Sequence, residues 1–287
     1  MKMRKMILLL TLTLTLTSVA SLAEQYEDVQ INSAHVSESV YMLTGAGGNI
    51  GVSAGDDGIL IIDDQFAPLA EKIAAALTEI AKTPTRYVIN THYHGDHTGS
   101  NAYFHDQQDS TIFAHDKVRE RLASEQKHNH SSLPVVTYAQ GINFHFNGET
   151  IKVEHLPGGH TDSDSVVWFE NADVLHAGDL FFQGRFPYID LQGGGTVEGY
   201  IKNVTRLMTM LSDDSQIIPG HGKLATKADY QLFLDMLTDT AQFVAHKKQQ
   251  GQSLETLLEM GLDAKWQDWA WEFIDQDKWI TTLYQGQ

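Results

Sequence analysis

The sequence has no cysteine among its 287 residues, and this absence excludes several kinds of chemistry. Without thiols the protein cannot use a cysteine nucleophile, form disulfides or bind a metal through thiolate. Basic residues are also scarce, with 20 Lys and Arg against 37 Asp and Glu, so the formal net charge is -17. Because nucleic acids and anionic membranes repel such a surface, neither is expected as the main partner.

Long apolar segments are lacking too, and the one apolar run lies at the N-terminus. Lys2, Arg4 and Lys5 precede the run Met6–Thr17, which small residues follow up to Ala23. This order predicts a secretory signal peptide over residues 1–23 rather than a membrane anchor, because spanning a bilayer takes about 20 apolar residues. We therefore expect a secreted protein, periplasmic in a Gram-negative source, with no membrane contact after cleavage.

Hydrophobic periodicity predicts strands and helices in a single domain, residues 24–287. The predicted strands are Val40–Thr44, Ile50–Ala54, Ile59–Asp63, Arg86–Asn90, Thr111–Ala114, Ile142–Phe146, Thr150–Leu156, Ser165–Glu170, Val174–Ala177 and Gln216–Ile218. The predicted helices are Leu69–Ala81, Asp116–Gln126, Thr196–Leu211 and Thr226–Gln250, with a helical, Trp-rich remainder and a loop over Lys127–Ser132. One round of strands and helices before His115 and another after it favours two packed sheets with outer helices.

What the sequence has in excess is histidine, with 14 residues, and four potential metal ligands fall within six positions. His92, His94, Asp96 and His97 follow directly after a predicted strand. His92 and His94 are two residues apart, so an extended backbone points both to the same side, while Asp96 and His97 can face a second point. Imidazole and carboxylate are the ligands that zinc accepts where thiolate is absent.

Three later residues complete a set of seven candidate ligands. His160, Asp179 and His221 each lie next to a glycine at the end of a predicted strand, where the backbone can turn sharply. Seven candidates favour two metal sites rather than one, because a structural zinc takes four protein ligands and a catalytic zinc about three plus water.

With these motifs, the chain resembles the metallo-β-lactamase superfamily of metal-dependent hydrolases. The matching segments are Ile59–Asp63, His92–His97, Gly159–Thr161, Gly178–Asp179 and Pro219–Gly222, in the order that the family has. The resemblance implies an α+β fold, a four-layer αβ/βα sandwich, here with extra C-terminal helices over about residues 225–287.

The resemblance also implies a role for each candidate ligand. One zinc ion would be held by His92, His94 and His160, the other by Asp96, His97 and His221, and both by a bridging Asp179. Iron or manganese would also suit these ligands. Asp63 would support the metal loop by hydrogen bonds. The two ions would share a water and lower its pKa, the resulting hydroxide would attack a carbonyl, and Asp96 would act as the catalytic residue that orients it.

An ester, thioester, lactone, amide or β-lactam bond fits this chemistry, in a small-molecule substrate. Some β-lactamases have cysteine at the position of Asp179, so the aspartate makes the chain more similar to glyoxalase II and to lactonases. Two alternatives stay open: iron-dependent oxidation of persulfides, and β-lactam hydrolysis as the main activity. Arg185 is a candidate for binding a substrate carboxylate, or else it braces its loop.

Other conspicuous residues have a structural interpretation. His176 is expected in the core, and Asp162 and Asp164 are expected to make hydrogen bonds in the turn after His160. Four tryptophans are expected to anchor the terminal helices, or alternatively to form a homodimer face or a cap over the pocket; they are Trp266, Trp269, Trp271 and Trp279.

Overall fold

The computed structural model of the protein describes residues 25–125 and 130–286. The predicted signal peptide over residues 1–23 lies outside the described residues, as does part of the predicted loop Lys127–Ser132. Across the two described segments, no helix combines the length and the apolar character that crossing a bilayer requires.

Two mixed sheets form the centre of the fold. The first sheet runs in chain order: β1 (Asn32–Ser37), β2 (Val40–Thr44), β3 (Ile50–Gly55), β4 (Gly58–Ile62), β5 (Thr85–Asn90), β6 (Thr111–His115) and β7 (Val136–Tyr138). The second runs in the order β13 (Ala225–Thr226), β12 (Gln216–His221), β11 (Val174–Phe182), β10 (Ser165–Phe169), β9 (Glu149–His155) and β8 (Gly141–Phe146). Strands pair in parallel from β4 to β7 and between β11 and β12.

Helices cover the outer faces of both sheets. They are α1 (Ala70–Ile80), α2 (Gly95–Thr98), α3 (Asn101–Gln108), α4 (Asp116–Ser124), α5 (Val197–Met208), α6 (Lys227–Gln249), α7 (Leu254–Met260) and α8 (Gln276–Gln285). Short 3₁₀ turns lie at Ala67–Leu69, His130–Ser132 and Ala264–Trp269. Helix α6 begins with the capping box that the sequence predicts, in which Thr226 and Asp229 bond each other's backbone N–H groups.

The layers form because apolar side chains of the strands pack on both faces of each sheet, as β4 illustrates. Leu60 and Ile62 pack into the core between the two sheets, whereas Ile59 and Ile61 pack beneath α1. All five residues of β4 are buried, because both faces of this central strand are covered. The predicted four-layer α+β sandwich is therefore confirmed.

The C-terminal helices pack on the second sheet through aromatic side chains. Trp279 is fully buried, its ring stacks on Phe186, and its Nε1 donates to Thr240 Oγ1 at 3.1 Å. Trp266 and Trp269 are also buried in this cluster. These three tryptophans are core anchors, while Trp271 is only half-buried and lies at the site described below.

Some elements have no signal in the hydrophobic pattern. Strand β1 is mostly exposed, and α3 buries little apolar surface apart from Phe104. Strand β11 extends to Phe182, five residues beyond the prediction, because Gly178 and Asp179 interrupt the apolar run while the chain stays paired with β12.

Candidate metal centre

The seven candidate ligands converge at one edge of the sandwich, from loops and strand ends of both sheets. The segment after β5 carries four of them, the turn between β9 and β10 carries His160, and β11 and β12 carry Asp179 and His221. They form two groups whose ligand atoms lie within 4.8 Å of one another; the groups are His92, His94, His160 and Asp179, and Asp96, His97 and His221.

In the first group, three imidazole nitrogens face one point. His94 Nδ1 lies 3.2 Å from His92 Nε2 and 2.9 Å from His160 Nε2. The other nitrogen of each ring faces an oxygen: Thr91 Oγ1 at 3.0 Å, Asp190 Oδ2 at 3.1 Å and the carbonyl of Tyr188 at 2.7 Å. Because the outer nitrogens donate to these oxygens, the inner ones carry lone pairs that repel each other unless a cation lies between them.

Asp63 holds the loop after β5, which carries His92 to His97, by hydrogen bonds. It accepts hydrogen bonds from Thr91 N at 2.7 Å, from Thr91 Oγ1 at 2.8 Å and from His97 Nδ1 at 2.7 Å. The Thr91 hydroxyl, having donated to Asp63, can only accept from His92 Nδ1, which fixes the His92 tautomer. Asp63 takes a φ of 64°, a conformation uncommon for residues other than glycine, so the loop keeps a locally strained backbone.

Asp179 lies between the two groups and gives one oxygen to each. Its Oδ2 is 3.4 Å from His160 Nε2 and 3.8 Å from His92 Nε2. Its Oδ1 is 3.1 Å from His97 Nε2 and 3.4 Å from His221 Nε2. This is the placement that a carboxylate bridging two cations would have.

Charge in the second group is balanced by protons on histidine. Burial alone would lower the pKa of His221, but the carboxylates of Asp179 and Asp96 raise it to about 9. Burial likewise opposes ionisation of Asp96, yet His97 and His221 lower its pKa to about 2. In the first group, burial lowers the pKa of His160 to about 4, so its ring is neutral and free to ligate.

Two buried atoms test whether this site fits metal ions. In the described part of the chain, His97 Nε2 and Asp179 Oδ1 are buried and, although 3.1 Å apart, form no well-aligned hydrogen bond with each other or with another group. A buried polar atom without a partner is costly, and a cation between these two would satisfy both. The residues therefore fit two divalent ions, with nitrogen and oxygen as the donors.

Two glycines let the backbone approach the ligands. A Cβ on Gly48 would lie 2.2 Å from His97 Cε1, and one on Gly220 would lie 2.1 Å from Asp179 Oδ1. Both distances are far shorter than any van der Waals contact, so no other residue fits here without movement of a ligand. The glycine before His221 is thus required by packing against Asp179.

A cavity of about 670 Å³ opens over Asp96, Asp179 and His221. Its walls are largely aromatic, with Phe66, Phe182, Tyr188, Trp271 and Phe273. Arg185 lines the same cavity, with its Cζ 5.0 Å from the centre of the Trp271 ring. Within residues 25–125 and 130–286, the Arg185 side chain makes no hydrogen bond or ion pair, and burial lowers its pKa.

A sequence profile described as the metallo-beta-lactamase superfamily matches residues 43–221. The chain belongs to the metallo-β-lactamase superfamily. That match contains all seven candidate ligands and both sheets' central strands, but none of the C-terminal helices.

Relatives in this superfamily have more than one activity in their names. The chain is 29% identical over 138 residues to "Metallo-beta-lactamase IND-1" of Chryseobacterium indologenes, covering 48% of the chain and 56% of the relative. It is 28% identical over 159 residues to a hydroxyacylglutathione hydrolase of Nitrosococcus oceani, covering 55% and 56%. The chain thus spans little more than half the length of these relatives.

Solved structures of the superfamily share the fold. A metallo-β-lactamase from Pontibacter korlensis superposes with a TM-score of 0.64 at 19% identity, covering 73% of this chain and all of that one. At this identity the likeness supports the fold and no particular substrate.

The residues around the ligands include partners that the sequence does not reveal. Asp190 accepts from His94 Nε2, from the Tyr93 hydroxyl and from Gly193 N, although it lies about 96 positions from His94. No motif marks Asp190, and only the loop after β11 brings it to the site.

The other residues singled out from the sequence have these places. His176 is fully buried and its Nε2 faces the carbonyl of Asn49 at 3.2 Å, as a core histidine would. Asp164 accepts hydrogen bonds from Thr161, which holds the His160 turn, and Asp162 pairs with Arg121.

Proposed function

We propose that the protein is a hydrolase that uses two divalent metal ions to cleave an ester, thioester, lactone or amide bond. The observation that carries this proposal is the position of Asp179, with one oxygen toward each group of inward-facing histidines. Zinc is the proposed metal, because imidazole and carboxylate donors with no thiolate suit it. Iron or manganese would suit the same donors.

When bound, the two ions would activate a water and polarise the substrate carbonyl. The residues of the chain have separate tasks around that chemistry. His92, His94 and His160 would hold one ion and Asp96, His97 and His221 the other, with Asp179 shared. Asp96 Oδ2, 3.3 Å from His221 Nε2 and facing the cavity, is ionised at neutral pH. It can therefore accept a hydrogen bond from the attacking water and orient it.

Arg185 is proposed to bind a carboxylate on the substrate. Its guanidinium lines the cavity beside the ligands, and it makes no hydrogen bond to its own loop within the described residues. A loop-bracing arginine would use its donors on nearby carbonyls, whereas these donors are available to an anionic group. This local cation offsets the acidic surface for such a substrate.

An ester or thioester is proposed over a β-lactam as the main substrate. The relatives' names include both a β-lactamase and a hydroxyacylglutathione hydrolase. An aspartate rather than a cysteine at position 179 favours a substrate like that of the hydroxyacylglutathione hydrolase.

We also propose export to the periplasm through residues 1–23, which N-terminal sequencing of the mature protein from cell fractions would test.

The test is a panel of esters, thioesters, lactones and β-lactams, run on protein with measured metal content. We expect hydrolysis with two zinc ions bound and loss of hydrolysis in Asp179→Ala. Full activity in Asp179→Ala would refute the bridging role. Stoichiometric iron with oxygen uptake on persulfides would replace the hydrolase by the oxidoreductase alternative.

A further inference from the structure

Three aromatic side chains form a row across the mouth of the cavity, and we call Tyr188, Phe273 and Trp271 the aromatic shelf. The Phe273 ring centre lies 5.5 Å from that of Tyr188 and 5.6 Å from that of Trp271. At one end, Tyr188 is 5.8 Å from the His94 ring; at the other, Trp271 is 6.4 Å from the His221 ring. The aromatic shelf therefore spans both groups of candidate ligands.

The segment that carries Trp271 and Phe273 is fixed on both sides. Trp269 and Ile274 are buried in the core, and Trp271 N donates to the Ile274 carbonyl at 3.1 Å. Trp271 Nε1 donates to the Phe186 carbonyl at 2.9 Å. A surface held in this way loses little conformational entropy when a ligand binds to it.

The outer part of the aromatic shelf is exposed although it is apolar. Phe273 is 50% exposed and has no core role, yet its ring borders the cavity. Lys278 holds it in place, with Nζ 2.8 Å from the Phe273 carbonyl and 5.1 Å from the ring centre. A preformed apolar surface with a few charged groups beside it, here Arg185 and Lys278, is typical of a ligand pocket.

We propose that the aromatic shelf binds a flat apolar group of the substrate, such as an aryl ring, while the scissile carbonyl lies over the ligand groups. This substrate class rests on the proposed hydrolase function. The two residues from the C-terminal segment lie outside the matched superfamily region, residues 43–221. Two of the three shelf residues therefore come from the C-terminal segment, and Tyr188 comes from within the matched region.

The kinetic test compares methyl phenylacetate with methyl acetate on zinc-loaded protein. We expect the ratio of their kcat/KM values to fall about 3- to 10-fold in Phe273→Ala and in Trp271→Ala, because each loses an aromatic contact. Leu232→Ala is the matched control, since Leu232 is also 50% exposed but lies on α6 away from the cavity. An unchanged ratio in both shelf variants, with zinc content and circular dichroism preserved, would overturn the proposal.

A binding measurement separates this proposal from the hydrolase function. In calorimetric titrations of zinc-loaded protein, phenylacetate should bind at least about threefold more tightly than acetate, and Phe273→Ala should remove the difference. Equal affinities in the unaltered protein would overturn the aromatic shelf even if esters are hydrolysed. A clear preference without hydrolysis of any ester, thioester, lactone or amide would support the aromatic shelf and refute the hydrolase.

Discussion

The hydrogen bond from His94 to Asp190 allows a sharp test of how the first ligand group is organised. Asp190 Oδ1 accepts from Gly193 N at 2.8 Å, while Oδ2 accepts from His94 Nε2 at 3.1 Å and from the Tyr93 hydroxyl. These hydrogen bonds, first that of His94, lower the pKa of Asp190, so it is ionised at neutral pH. In Asp190→Asn, the amide oxygen is retained by Gly193 N, and the amide NH₂ then faces His94.

That change forces His94 into the wrong tautomer. The new amide N–H and the N–H at His94 Nε2 are both donors and cannot form a hydrogen bond with each other. The His94 proton therefore moves from Nε2 to Nδ1, the atom that faces the metal position. Loss of such a partner typically weakens metal binding by about 10- to 100-fold. This corresponds to about 1.4 to 2.8 kcal/mol of binding free energy.

The assay is competition with a chelator of known zinc affinity, which resolves the two binding steps. We expect Asp190→Asn to weaken one step by the stated factor and to leave the other nearly unchanged. Asp162→Asn is the control, because it removes the same charge from the neighbouring turn and breaks the ion pair with Arg121. The reasoning fails if Asp190→Asn binds both ions as tightly as the unaltered protein, or no more weakly than the control.

Three further predictions concern a close backbone contact, the pKa of His221 and a buried tryptophan. Gly48→Ala should displace His97 and weaken the second metal step at least about tenfold, because its Cβ would lie 2.2 Å from the ring. Gly95→Ala is the control: a Cβ at this position would have no atom within 4 Å, so the variant should retain both ions. Equal metal contents in Gly48→Ala and Gly95→Ala would contradict this explanation. In the metal-free protein His221 has a pKa of about 9, so it must lose a proton before it can bind zinc. Zinc affinity should therefore rise with pH up to about pH 9, by about tenfold per pH unit for each proton released. Chelator competition at two pH values measures this, and a flat profile would refute it. Trp279→Ala should lower the free energy of unfolding by about 3–5 kcal/mol in a denaturant titration, because a fully buried indole is lost. A loss no larger than that in Phe273→Ala would show that Trp279 does not anchor α8.

Local sequence patterns were enough for most of the fold, because each element carries its own hydrophobic period. Strand β4 is a continuous apolar run, and a capping box at Thr226 marks the start of α6. Strand β1 could not be found in this way, because it is an exposed edge strand whose stability comes from pairing with β2. The end of β11 was missed because a glycine and an aspartate needed at the site replace apolar residues.

The sequence by itself determined the identity of the candidate ligands, because their residue types and their places at strand ends are local features. It also determined what the site lacks, since a chain without cysteine can offer no thiolate to a metal. Only the tertiary structure decided that Asp179 gives one oxygen to each group, that Asp190 sets the His94 tautomer and that Trp271 and Phe273 reach the cavity. These relations join residues far apart in the chain, and they arise from packing the two sheets and the C-terminal helices together.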